Sequence, residues 1–210
     1  MDAQLHHPVP PAPEFGEPCP IGPAPAVLDF LAARRSATPQ QLTAPGPTPR
    51  ELEDLLRLGA RVPDHGKLFP WRFILLEGAP KARFVEQLHG MAARQPNPGK
   101  AEAVLAKIAP APLTIAVISR ATSPVKPVWE QELSAAAVCM TLLIAAQAMG
   151  YGANWITDWY AYDDEARALL GVAPEEKVAG FLHIGTSPEA PLERVRPEVA
   201  AITTRWGSAD

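Results

Sequence analysis

The chain has 210 residues and a formal net charge of −4, with 47% hydrophobic and 20% charged residues. That length allows one domain with a substantial core, and the composition is that of a globular chain. The mild acidity offers no basic face for nucleic acid or an anionic membrane surface, and no apolar run approaches the length of a membrane span.

Eight prolines fall within residues 1–25. A segment so poor in N–H donors supports neither helix nor sheet, so an extended or disordered arm is expected over 1–25, with one folded domain over 26–210. No basic-then-apolar leader opens the chain, so no secretory signal is expected. AVLDFLAARR (26–35) has helical spacing and closes at Ser36 and Pro39. Thr48 is a helix N-cap, followed by Pro49 in the first turn and by Glu51 at capping-box distance, for a helix that ends near Val62-Pro63. Trp71–Glu77 reads as a strand whose continuous run Phe73-Ile74-Leu75-Leu76 predicts cover on both faces.

Helices follow over Lys81–Ala93 and Lys100–Ile108, then a buried strand over Leu113–Ser119. Trp129–Met149 is the most apolar helix, which places it in a core or an interface. Gly150 and Gly152 end it, before a short strand at Ala153–Thr157, a helix at Asp163–Leu170 closed by Gly171, and a strand at Val178–Ile184. The order is mixed α and β around one sheet.

Cys19 and Cys139 lie in the arm and in an apolar helix, a poor arrangement for a disulfide, so a reducing, cytoplasmic setting is expected. The five histidines do not cluster, and no metal site is expected. Arg34-Arg35-Ser36 either neutralises a helix C-terminus or clamps a phosphate. Neither GxGxxG after a strand, GxxxxGK[ST] nor GxSxG occurs, against Rossmann, P-loop and nucleophile-elbow sites. In RVPDHGKLFPWRF (61–73), Asp64 and His65 stand between two prolines, more than a plain helix-to-strand link requires. GYGANWIT (150–157) is either a helix cap with a core Trp155 or a close backbone approach to a flat ring. Arg194 and Arg196, in LERVRPE, read by themselves as a solvated face.

Taken in order, RRSATPQQLTAPGPT (34–48), RVPDHGKLFPWRFILLEG (61–78), VWEQELSAAA (128–137), AAQAMGYGANWIT (145–157) and VAGFLHIGT (178–186) resemble the nitroreductase family of FMN-dependent oxidoreductases, in its small single-domain bacterial branch. The resemblance covers roughly residues 26–190. It implies an α+β three-layer sandwich, with a mostly antiparallel central sheet flanked by helices, and an intertwined homodimer with FMN at the subunit interface. It implies that Arg34, Arg35 and Ser36 hold the FMN phosphate and ribityl chain. Arg61 and His65 would contact FMN from the partner subunit, and Trp155, Ile156 and Thr157 would lie along the flavin. It also places the nicotinamide nucleotide at Ala145, Ala146, Gln147, Ala148, Met149 and Gly150. The branch has Trp-Arg-Ser where this chain has Trp155-Ile156-Thr157, so one cation is missing, and Arg194 or Arg196 is the expected replacement. The implied activity is ping-pong hydride transfer from NAD(P)H through the flavin N5 to a nitroaromatic, a quinone or another small acceptor. No protein residue is required as a catalytic nucleophile or proton donor. A flavin-storing protein of the same fold and a flavin-free structural dimer are the alternatives.

Overall fold

The computed structural model describes residues 9–121 and 123–207, so the start of the proline-rich arm, with His6 and His7, lies outside the described residues. Residues 9–24 contain neither helix nor strand, and are tied to the domain where Arg57 Nη2 donates to the Pro10 carbonyl at 2.9 Å. The helices are α1 (Pro25–Ala33), α2 (Pro49–Gly59), α3 (Gly78–Ala92), α4 (Pro98–Val104), α5 (Val128–Ala148) and α6 (Asp164–Leu169). The strands are β1 (Trp71–Glu77), β2 (Leu113–Ser119), β3 (Gly152–Ile156) and β4 (Lys177–Gly185). The Thr48 capping box forms as the sequence implies: Thr48 Oγ1 accepts from the Glu51 backbone while Glu51 returns to the Thr48 N–H.

All three strand pairings are antiparallel, in the order β1-β2-β4-β3. Alternation along β2 explains the layering. Leu113, Ile115 and Val117 face the cluster built by α2 and α5, while Ala116 and Ile118 face the cluster built by α3, α4 and α6. Helices therefore cover both sides of the sheet, and β2 is buried along its whole length. Trp155, on β3, packs over Gly180 of β4 so closely that a Cβ there would stand 1.9 Å from the indole nitrogen.

Two expectations need correction. The FILL run of β1 is not covered on both faces: β1 is an edge strand, and Leu75 is 39% exposed. Its side of the sheet is the α5 side, but α5 packs across β2, β4 and β3 and leaves outer β1 open. Nor is every apolar segment too short for a membrane. The 21-residue α5 is long and apolar enough to span one, by length and composition. Here it is a core helix. Its inner face, with Ala135, Val138, Cys139, Leu142 and Ala146, is sealed against the sheet.

An ion pair on the other side of the sheet ties β1 to the approach to β4. Arg72 donates from Nε and Nη2 to Glu176 at 2.8 and 2.6 Å. This forked bond, helped by the Ala173 N–H, holds the Glu176 carboxyl down at about 2 rather than 4.5. A depressed carboxyl stabilises the fold above its unfolded value and loses that contribution as pH falls through the folded value. Arg72→Met is therefore expected to cost roughly 1–3 kcal/mol near neutral pH. In denaturant titrations at stepped pH, the gap from wild type should close between 4.5 and about 2.

Candidate functional site

The first half of the site begins where α1 stops. Arg34 is the α1 C-cap and already extended, with ψ 138°. The chain then runs along the open edge of β3: the Ala37 N–H donates to the Ala153 carbonyl at 3.0 Å, and Asn154 Nδ2 donates to the Ala37 carbonyl at 2.6 Å. Gln147, in the last turn of α5, clips the two arginines from the other side. Its Oε1 accepts from Arg34 Nε at 3.0 Å, and its Nε2 donates to the Arg35 carbonyl. Arg34 Nη2 reaches Ser36 Oγ at 3.4 Å, and Arg35 Nε donates to the Leu192 carbonyl at 2.8 Å.

These groups border a cavity of about 490 Å³, with Arg34, Arg35, Gln147, Gly150, Gly152 and Ser187 in its wall. Gly152 has to be glycine, because a Cβ would stand 2.6 Å from Ser187 Cβ and 2.7 Å from Leu42 Cδ2. Ser36 and Arg35 line an adjoining space of about 360 Å³.

The electrostatics are those of a cluster of cations. Arg34 is held below its ordinary pKa by burial and then by the charges of Arg196 and Arg35. Arg196 is thus brought to the pair. The same Glu193 Oε1 lies 3.1 Å from Arg196 and 3.7 Å from Arg35, and the Arg194 N–H donates to it at 2.6 Å. Two of the three guanidiniums, those of Arg35 and Arg196, thus share the Glu193 carboxylate, while Arg34 has the Gln147 amide and the Ser36 hydroxyl as its partners. Arg194 joins through its backbone N–H, while its Nε turns to the Val195 carbonyl.

The second half lies in the loop between α2 and β1. Arg61 is exposed just past the end of α2. Asp64 Oδ2 accepts from the Phe69 N–H at 2.8 Å and holds Phe69 at φ 48°; Lys67 sits at φ 59°. Such angles are strained for residues with a Cβ and persist where the surroundings enforce them. Asp64 is therefore a loop brace. Ser134 of α5 is a second brace: it donates to the Pro63 carbonyl at 2.8 Å and accepts from Trp71 Nε1 at 3.2 Å. His65 Nδ1 bonds to Glu130 Oε2. A groove of about 410 Å³ lies between this loop and α5, with His65, Glu130, Leu133 and Ala137 in its wall.

The two halves share no lining residue within one protomer. Ser134 and Gln147 mark them on α5, and at 1.5 Å per residue they are about 20 Å apart. Trp155, Ile156 and Thr157 are not in the arginine cavity wall. Trp155 Nε1 donates to the Ala179 carbonyl at 3.3 Å, and Thr157 Oγ1 accepts from Tyr162 at 3.0 Å. In the 145–150 stretch, Ala145 and Ala146 are buried in the core, Met149 caps α5, and Gln147 and Gly150 are the members that reach the cavity. Glu130, Ser134 and Glu193 carry no motif that marks them in the sequence as site residues. Of these, Ser134 left a usable signal, a hydroxyl set in an otherwise apolar helix.

Comparison with known proteins matches residues 31–186 to the model of the nitroreductase family. The Escherichia coli (strain K12) protein named "Putative NAD(P)H nitroreductase YdjA" is 37% identical over 162 residues, covering 76% of this chain and 87% of that one. Among solved structures, a nitroreductase-like family protein from Bacillus cereus superposes with a TM-score of 0.73 at 19% identity, covering 90% of this chain and all of that one. A Bacteroides fragilis nitroreductase solved with bound FMN superposes with a TM-score of 0.63 at 22% identity, covering 88% and 97%.

Proposed function

This chain belongs to the nitroreductase family, and from that premise we propose that it is an FMN-dependent NAD(P)H oxidoreductase whose flavin sites each draw on two copies of the chain. The observation that carries the reading is the arginine cluster. Arg34 and Arg35 are set by Gln147 and joined by Arg196, Arg35 and Arg196 share a carboxylate, and the forked donors of the cluster suit a phosphate dianion. Ser36 adds a hydroxyl beside them. When bound, FMN supplies hydride relay between NAD(P)H and a small oxidised acceptor such as a nitroaromatic or a quinone. The residues of this chain bind and orient it; none is needed as nucleophile. Arg61 and His65 contribute from the other copy, Trp155–Thr157 flank the ring, and Gln147 and Gly150 are the part of 145–150 open to a nicotinamide nucleotide.

The two-chain arrangement is supported by α5. Its outer face is a second apolar stripe. Trp129 is 66% exposed, Leu133 is exposed, and Ala136, Met140 and Ile144 are half-buried. An unpaired stripe of this kind favours a symmetric seam. A two-fold axis across it runs the two helices antiparallel and sets the Gln147 end of one against the Ser134 end of the other. That brings each arginine cavity to the partner's His65 groove, which one protomer by itself cannot do.

The test is anaerobic addition of NADPH or NADH to the FMN-loaded protein. Rapid bleaching of the visible flavin band, with colour returned by a quinone, is expected. A band that persists would replace the oxidoreductase by a protein that stores or delivers FMN.

A further inference from the structure

The His65 loop is held at three points, and one of them is not needed for its shape. Asp64 braces Phe69, and Ser134 joins Pro63 to Trp71. With these in place the strained path from Pro63 to Trp71 is already enforced. The third hold, Glu130 to His65 Nδ1, acts on the imidazole alone. Both side chains are about half exposed, so the contact contributes little to folding.

We propose that Glu130 is a positioning residue for the flavin site: it fixes the tautomer and direction of the His65 ring and leaves Nε2 as the atom offered to the cofactor. The proposal rests on the reading that His65 contacts FMN. An ionised carboxylate accepts and cannot donate, so the proton of the Nδ1 contact belongs to the imidazole. Glu130 lies in the first turn of α5 and faces the loop. Nε2 has no partner among the described residues, and the ring lines the groove whose other wall is Leu133 and Ala137 of α5. Without Glu130, a neutral imidazole divides between two tautomers and an exposed side chain between several rotamers. The ordering would then fall on cofactor binding.

The experiment is a double-mutant cycle on FMN affinity, read by flavin fluorescence, with Glu130→Ala, His65→Ala and the pair. Nitrogen-15 spectra of the imidazoles in apoprotein accompany it. Glu130→Ala is expected to weaken FMN about tenfold and to have no further effect once His65 is alanine. Glu130→Gln, which keeps an acceptor, should recover part of the loss. The wild-type His65 spectrum should show the Nδ1–H tautomer, and Glu130→Ala should shift it towards Nε2–H. Additive losses in the cycle, or an unchanged tautomer, would overturn the proposal. A wild-type protein that takes up no FMN would instead defeat the flavin reading, and the apoprotein spectra would still decide whether Glu130 sets His65.

Discussion

Arg34→Ala is expected to raise the dissociation constant for FMN by roughly two to three orders of magnitude while leaving the affinity for riboflavin almost unchanged. A charge-assisted hydrogen bond contributes about 1.5–3 kcal/mol, and a forked guanidinium makes two. Arg34 is pre-set to receive a phosphate, since Gln147 fixes its Nε, and burial beside two other cations leaves its charge undercompensated until an anion arrives. Arg34→Lys should recover only part of the loss, because a point charge on a flexible stem does not reproduce the fork. Titrations of FMN and riboflavin against each variant separate the possibilities. If both ligands weaken equally, Arg34 supports the ring or the fold, and the phosphate assignment is wrong.

Ala136→Asp is the second large effect. Ala136 is half-buried on the outer stripe of α5 and belongs to neither of the core clusters packed on the sheet. The protomer should therefore fold with the substitution. Across a symmetric seam, the change buries two unpaired carboxylates, at a cost of several kcal/mol each. The expected outcome is a monomer in analytical ultracentrifugation that has also lost FMN, because each ring would lose the half of its site supplied by the other copy. A monomer that keeps its flavin would show that one protomer completes the site alone.

What was legible in the sequence was local. Thr48, Pro49 and Glu51 lie within four residues, and the helix they start begins where that signal puts it. The run Leu113–Ser119 is a strand with those limits. The arginines and the histidine loop could be singled out, because each is a contiguous motif. The links that make them sites were not legible. Gln147 meets Arg34 across 113 positions, and Glu130 meets His65 across 65. No periodicity encodes such pairings. Glu130 reads in sequence as an ordinary acid in a first helical turn, and Glu193 as one charge in a solvated segment. The FILL run misled in an informative way. Its composition implies a surface over Leu75, the protomer leaves that side open, and the seam proposed along α5 is where a second copy would lie.

Complementation between two variants that each bind FMN weakly puts the two-chain site to its most direct test. Arg34→Ala breaks the arginine half, and Arg61→Ala/His65→Ala breaks the loop half. Co-expressed, they form heterodimers in which one of the two sites carries both intact halves. FMN titration of the isolated heterodimer should then give one wild-type-affinity site per dimer, where neither parent gives any. A heterodimer that binds no more FMN than its parents would contradict a flavin site built from two chains.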